Sequence, residues 1–216
     1  MYQISKKNNV EQFMVCFCQD ALSELKTYDR KLRNKFIIGE KTGNTGGFYN
    51  DYPKGLSIYS ITEPIIKWLI YTNLCDRYCM RTEFLTSYGK YLDLALSLKP
   101  NNDVLDIAIE MKWAGFRKKD GKLYENSRLN MIDDAIKLYK MDFSYKYLMQ
   151  FAILNTDEYK KIDFEATVEG FDGIDKRKFR NSQLNPEPIF MNSFPTWDEN
   201  KNTRRFTMLV WEINKK

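Results

Sequence analysis

Two apolar runs separated by a cluster of turn-forming residues constrain the fold of this chain most strongly. Residues 91–99 and 104–113 each alternate between apolar and other side chains, and Pro100-Asn101-Asn102-Asp103 lies between them. Alternation with a period of two is typical of strands, and a turn-forming cluster between two strands is typical of a hairpin. We therefore predict a β-hairpin whose strands each present two chemically different faces.

One face of the predicted hairpin is aliphatic, whereas the other carries charges. The aliphatic face consists of Leu92, Leu94, Leu96, Leu98, Leu105, Ile107, Ile109 and Met111. If residues 100–103 form a four-residue loop, Lys99 pairs with Val104, and the numbers of all paired residues sum to 203. That register places Asp93 directly across from Glu110, with Cβ atoms roughly 4.5–5.5 Å apart.

Two carboxylates at this spacing indicate a cation site. They repel each other in a bare sheet, and Mg²⁺ removes the repulsion because it binds carboxylate oxygens while keeping several waters. Asp93 and Glu110 are therefore the predicted Mg²⁺ ligands, with Mn²⁺ as a substitute. Lys112 lies one pleat beyond Glu110 on the same face, where its ammonium group can position or help to deprotonate the attacking water or stabilise charge on a phosphate. The alternative is an ordinary amphipathic hairpin with a solvated charged face.

The hairpin resembles the core of the PD-(D/E)XK nucleases, the restriction-endonuclease-like superfamily, over roughly residues 58–154. Asp93 resembles the metal-binding aspartate of the family, and Glu110-Met111-Lys112 resembles its (D/E)-X-K element. Leu92 stands where the motif has proline, a departure that also occurs within the family. By position, Glu63 resembles the glutamate that the family often carries on the helix before the sheet. An acid in a first helical turn is also favoured by the helix dipole alone.

The resemblance implies a fold, an activity and a set of catalytic residues. The fold is of the α/β class with a mixed sheet, a restriction-endonuclease-like αβββαβ core with an added N-terminal helix and a C-terminal extension. The activity is Mg²⁺-dependent endonucleolytic hydrolysis of DNA, and chain size favours a restriction-type enzyme. The catalytic residues would be Asp93, Glu110, Lys112 and Glu63. Two alternatives stay open: the same fold acting without catalysis as a nucleic-acid-binding or protein-interaction module, and a metal-free protein of unrelated α+β fold.

Periodicity and turn signals outside the hairpin predict the order of the remaining elements. From residue 61 they indicate a helix, three strands, a helix and a strand that ends near residue 154. We predict a single domain, 1–216, made of a helical extension (1–40), a core (about 58–154), a variable segment (155–200) and a final strand (204–213). The first helix, over residues 9–36, has three roles open to it, of which packing on the core is favoured over a homodimer surface or a substrate contact.

Basic residues lie in two clusters outside the predicted catalytic strands. The chain carries a net charge of +5, a mild excess that is compatible with a polyanionic partner such as DNA. The candidates for contacts with DNA phosphates are Arg117, Lys118, Lys119, Lys176, Arg177, Lys178 and Arg180. The alternative is a solvated basic surface. The glycine-containing segment 39–57 and the segment 155–200 are candidate recognition elements.

Composition excludes several kinds of site. The chain has no histidine, which excludes Ser-His and Cys-His catalysis and His-ligated zinc. Its four cysteines lack the paired spacing of zinc knuckles, so we expect buried thiols that form no disulfide. Apolar runs of membrane-spanning length and a signal-peptide core are both absent from the sequence. We therefore expect a cytoplasmic protein without a membrane partner.

Overall fold

The computed structural model describes residues 6–39, 63–86, 89–99, 104–116, 125–155, 188–197 and 203–213. These residues form three helices and six strands. In chain order they are α1 (Lys6–Gly39), α2 (Glu63–Leu74), β1 (Met80–Leu85), β2 (Tyr91–Leu96), β3 (Ile107–Phe116), α3 (Glu125–Lys140), β4 (Tyr145–Asn155), β5 (Phe190–Trp197) and β6 (Thr203–Glu212).

The six strands form one mixed sheet with the order β1-β2-β3-β4-β6-β5. β3 and β4 run parallel, and the other neighbouring strands run antiparallel. A parallel pair needs a crossover connection, which α3 provides between β3 and β4. The order predicted from residue 61 onward, a helix, three strands, a helix and a strand, is confirmed, as is the α/β class with a mixed sheet.

Helices cover the sheet on both faces and create two cores. On one face, α1 and α2 pack against strands through buried residues such as Met14, Phe17 and Ile70. On the other face, α3 packs through Ala135 and Leu138. The described residues thus form three layers, with the sheet in the middle.

The predicted packing of the first helix on the core is confirmed. Phe17 of α1 is fully buried and meets the ring of Tyr78 edge to face. Twelve residues further along the helix, the buried Asp29 accepts a hydrogen bond of 2.7 Å from the hydroxyl of Thr196 in β5. A role of α1 in a homodimer or in a substrate contact stays a prediction.

The predicted register of the hairpin is confirmed by three pairs. Leu94 pairs with Ile109, Ala95 with Ala108 and Leu96 with Ile107, and each pair has the predicted sum. The strands are shorter at the turn than predicted, because Asp106 forms hydrogen bonds with the backbone of Leu96 and Leu98 and a regular ladder does not continue there. Its N–H donates to the Leu96 carbonyl, and its Oδ2 accepts a hydrogen bond from the N–H of Leu98, both at 2.9 Å. Residues 100–103 lie outside the described residues.

Three predictions about the hairpin are wrong. The first concerns Leu105, which packs on the α3 side of the sheet instead of sharing the core of Ile107.

The other two predictions fail at Asp93. Leu92 does not share a core with Leu94, because it packs on the α3 side of the sheet. Asp93 and Glu110 are not a ladder pair, because pairing of β2 with β3 stops one position earlier. The ladder between β1 and β2 also omits the pair of Glu83 with Asp93, and Glu83 has a φ of 46°. A positive φ is uncommon outside glycine and marks a local distortion of the sheet at this position. The side chains of Leu92 and Leu94, two residues apart, consequently lie on opposite faces of the sheet.

The segment 155–200 contains a strand that its sequence did not reveal. β5 pairs with β6 at the edge of the sheet, and Pro195 lies opposite Arg205 within it. Proline cannot donate a ladder hydrogen bond, so it is tolerated in an edge strand, which has a neighbour on one side only. In a sequence, by contrast, a proline argues against a strand. The final strand was predicted at 204–213 and is observed as β6, Thr203–Glu212.

The cysteines are only partly as expected. Within the described residues none of the four forms a disulfide. Cys18 is buried, and burial raises the pKa of its thiol. Cys16 and Cys75 are exposed, so the expectation of burial is wrong for them. They lie on the polar side of α1 and just after α2.

Among the described residues, no helix combines the length and the hydrophobicity needed to cross a membrane.

Candidate active site

Two carboxylates occupy the edge of β3 that β2 leaves open beyond Ile109. The N–H of Met111 donates a hydrogen bond of 2.7 Å to Oδ2 of Asp93. Two residues on, the N–H of Trp113 donates one of 2.8 Å to Oε2 of Glu63. Alternate residues of a strand present their N–H groups at the same edge, and a buried N–H needs an acceptor. The two acids therefore replace β2 as the hydrogen-bonding partner of β3, which fixes their positions.

Helix α2 brings Glu63 to this edge and adds a lysine. Glu63 begins α2, and Lys67 follows one helical turn later, a spacing at which side chains meet. Nζ of Lys67 lies 3.1 Å from Oε1 of Glu63 and 2.5 Å from Oδ1 of Asp93. In each of the two acids, one carboxylate oxygen thus accepts a hydrogen bond from a backbone N–H of β3, and the other contacts the ammonium group of Lys67.

Helix α3 contributes an acid and a lysine from the opposite layer. Nζ of Lys137 lies 2.6 Å from Oε1 of Glu110, and Oδ2 of Asp134 lies 3.0 Å from Nζ of Lys112. The same Lys112 nitrogen lies 3.9 Å from Oε2 of Glu63. Lys112 is therefore held between an acid of α2 and an acid of α3.

Together these side chains form a charged cluster where β2 and β3 separate. We call it the acid–lysine cluster, and it consists of Glu63, Lys67, Asp93, Glu110, Lys112, Asp134 and Lys137. It combines four carboxyl groups with three lysine side chains. Acids and lysines alternate within it, and among the described residues no three acidic or thiol side chains are grouped as a ready-made metal site.

Glu110 is the most deeply buried acid of the cluster. It is only 2% exposed, and burial raises its pKa to about 8. The charge of Asp93 raises this pKa as well, while Lys137 opposes the shift. Burial also raises the pKa of Asp134, against the opposing effect of Lys112. Desolvation disfavours the charged form of a carboxyl group. Ionisation of Glu110 and Asp134 is therefore less favourable than it would be in water.

The two lysines nearest Asp93 and Glu63 keep their protons. Burial lowers the pKa of Lys112, but the neighbouring acids, Asp134 first among them, raise it by more, so its pKa lies above the usual value. Burial also lowers the pKa of Lys67, but Asp93 and then Glu63 raise it by more, so this pKa too lies above the usual value. Both side chains are therefore ammonium groups at neutral pH.

The donor atoms present suit a hard divalent cation. Asp93 and Glu110 offer carboxylate oxygens, the ligand type that Mg²⁺ prefers. Oε1 of Glu110 and Oδ2 of Asp134 are buried, and among the described residues neither receives a hydrogen bond of good angular geometry, although each lies close to a lysine. An added cation would satisfy such an oxygen, so the residues present fit the predicted metal.

The structure brings together all four residues that the sequence placed in the site, Asp93, Glu110, Lys112 and Glu63. The predicted DNA contacts, namely Arg117, Lys118, Lys119, Lys176, Arg177, Lys178 and Arg180, lie outside the described residues.

Three members of the cluster, Lys67, Asp134 and Lys137, were not predicted from the sequence, and all of them lie on helices. Lys67 could have been found, because it lies four residues after Glu63 on the same helical face. Asp134 and Lys137 carried no such signal, because their position depends on how α3 crosses the sheet.

Comparison with known proteins gave no relative. No protein-family model, no curated protein and no solved structure matches this chain.

Proposed function

We propose that this chain is a Mg²⁺-dependent endonuclease that hydrolyses phosphodiester bonds of DNA, and that it is related to the restriction-endonuclease-like superfamily. One observation carries the proposal: Asp93, Glu110, Lys112 and Glu63 converge at the point where β2 and β3 separate. The observed order of elements, αβββαβ from α2 to β4, agrees with the fold that the resemblance implies. The restriction-type subtype belongs to the same proposal.

Asp93 and Glu110 would hold the metal ion. When bound, it would supply Lewis-acid stabilisation of the charge that develops on the phosphate oxygens. Asp93 is suited to this role because the N–H of Met111 fixes its carboxylate. Glu110 is suited because burial disfavours the charge of its carboxylate, an effect that a bound cation would offset.

Lys112 would stabilise the same developing charge with its ammonium group. Its raised pKa keeps it protonated near neutrality, so it acts as a hydrogen-bond donor and a positioning group for water rather than as a base. Asp134 at 3.0 Å and Glu63 at 3.9 Å hold the ammonium group in place. A donor that is positioned in advance needs no rearrangement when charge develops, which is why such groups contribute strongly to catalysis.

A second candidate is a nucleic-acid-binding or protein-interaction module of the same fold without catalysis. The observation that favours it is that Lys67 and Lys137 already contact Asp93 and Glu110. In the nuclease these lysines balance the acids before metal binding. In the binding module they would replace the metal permanently.

Cleavage of supercoiled plasmid DNA separates the two candidates. We expect the parent protein to nick or linearise the circles with Mg²⁺ or Mn²⁺, and a chelator or Asp93→Asn to abolish the reaction. Asp76→Asn is the matched control, because Asp76 is exposed and lies outside the cluster. A folded parent protein that binds the plasmid and leaves it intact with both metals would establish the second candidate. Discrete fragments from a large DNA would support the restriction-type subtype.

We also propose a cytoplasmic location. The four cysteines form no disulfide within the described residues, and Cys16 and Cys75 are exposed. Exposed thiols without disulfides are typical of proteins in a reducing compartment.

A further inference from the structure

A cavity of about 590 Å³ opens beside the acid–lysine cluster, between α3 and the start of β2. Among the residues that the structure describes, the cavity is lined by Lys90, Asp133, Ile136, Lys137, Lys140 and Met141. Pockets that bind small ligands have volumes of about 300–1,000 Å³. The cavity is therefore large enough for one nucleotide unit of a nucleic acid.

The lining combines positive charge with an apolar surface. Three lysines and one aspartate are among these six residues, and two of the lysines, Lys90 and Lys140, are exposed. Ile136 is half-buried and Met141 is buried, so they supply an apolar part of the wall. Ammonium groups bind phosphate, and an apolar wall suits a sugar or a base, so the cavity fits a nucleotide better than a purely apolar or purely ionic ligand.

Lys137 belongs both to the lining of the cavity and to the acid–lysine cluster. It lines the cavity, and its Nζ lies 2.6 Å from Oε1 of Glu110. Each DNA strand carries a phosphate about every 3.4 Å along the helix axis. A strand with one phosphate at Asp93 and Glu110 therefore has further phosphates within a short distance of the cavity.

We propose that this cavity binds the nucleotide next to the phosphate that is cleaved, an inference that rests on the proposed function. Lys90 and Lys140 contact the oxygens of its phosphate, while Ile136 and Met141 contact its sugar or base. Lys137 separates this nucleotide from Glu110. Because lysine reads phosphate and not sequence, the site contributes affinity to every DNA and positions the strand for cleavage.

The test measures the affinity of the complete protein for a fluorescein-labelled DNA duplex by anisotropy, in a chelator and over a range of salt concentrations. We expect Lys90→Ala/Lys140→Ala to weaken binding about tenfold near 0.1 M salt and to reduce the salt slope by about one, because both lysines contact the same phosphate and each neutralised phosphate contributes roughly 0.9. The matched control is Lys26→Ala/Lys31→Ala. These two lysines are exposed on α1, in the layer on the other side of the sheet, and their loss should change neither quantity. Lys90→Gln/Lys140→Gln, which keeps much of the side-chain length, should behave as the alanine pair does.

Plasmid cleavage by the same variants keeps the inference distinct from the nuclease proposal. Equal affinity and equal salt slope for the parent protein and the Lys90/Lys140 variants would overturn the inference, even if the parent cuts DNA. A parent protein that does not bind the duplex would overturn it too. Loss of binding in these variants, together with a parent that never cuts DNA, would uphold the cavity as a nucleotide site and reject the nuclease.

Discussion

Oδ2 of Asp93 accepts a hydrogen bond of 2.7 Å from the backbone N–H of Met111 on the neighbouring strand. Met111 lies between Glu110 and Lys112, so this single bond sets the position of Asp93 relative to both. It also explains why the strands separate here, since the side chain of Asp93 takes the place of the backbone of β2. The local geometry of the site is thus a property of the strand backbone as well as of the side chains.

Metal binding should stabilise the fold through Asp93. A ligand that binds only the folded state raises its stability by about 2.7 kcal/mol at 100 times Kd. We expect Mg²⁺ and Mn²⁺ to raise Tm in the parent protein and in Asp76→Asn, and to have no effect in Asp93→Asn, which loses a charged ligand. Thermal unfolding with and without metal measures this. A metal response in Asp93→Asn equal to that of the parent would remove Asp93 from the site.

Lys112 should matter for turnover and little for folding. Removal of one well-placed electrostatic donor costs on the order of 10²–10³ in rate. We expect Lys112→Ala to lose plasmid cleavage by about that factor while keeping its fold and its metal-induced rise in Tm. Lys112→Met tests the same point with most of the side-chain volume retained, and Lys26→Ala on α1 is the control. Cleavage by Lys112→Ala at the parental rate would reject this hairpin as a nuclease site.

Asp134 should act through Lys112. The 3.0 Å contact between them predicts that Asp134→Asn slows cleavage because Lys112 is less firmly held. We expect about a tenfold loss in kcat with little change in KM, and no additional loss when Asp134→Asn is combined with Lys112→Ala. Single-turnover rates of the four proteins give this double-mutant cycle. Additive losses would show that Asp134 acts independently of Lys112.

The buried carboxyl group of Glu110 should make stability depend on pH. Its pKa is about 8 in the folded protein and near 4.5 in the unfolded chain. Between these values the folded state keeps a proton that the unfolded state has lost, so the free energy of unfolding falls as pH rises, by at most about 1.4 kcal/mol per pH unit from this group. Glu110→Gln removes this contribution. Urea unfolding in a chelator from pH 5 to pH 8 should show the parent losing stability relative to Glu110→Gln, and parallel curves for the two proteins would contradict the shift.

The register of the hairpin could be predicted because two independent constraints agree on it. The turn-forming residues and the alternation of leucines with smaller side chains select the same pairing, and Leu94, Ala95 and Leu96 follow it. The prediction failed one residue beyond this, because strict alternation assumes a regular strand. Asp93 is unpaired in both ladders, opposite Glu83 in one and next to the last pair of the other, and Leu92 then faces the opposite core.

The remaining members of the site depend on tertiary packing. The sequence of α3 does not indicate which of its helical turns packs over β3. The contacts of Asp134 with Lys112 and of Lys137 with Glu110 depend on that packing. In the same way β5 becomes a strand because β6 offers it an edge, despite Pro195. Pairing across the chain outweighs local preference at such positions.

The gap between β2 and β3 allows charges from the two outer layers to meet. Lys112 contacts Glu63 of α2 on one side and Asp134 of α3 on the other. A sheet ordinarily insulates the helices on its two faces from each other, but here a displacement of either helix alters the electrostatic environment of the other. The first turn of α2 and the middle of α3 should therefore open as one cooperative unit in native-state hydrogen exchange, rather than as two separate units.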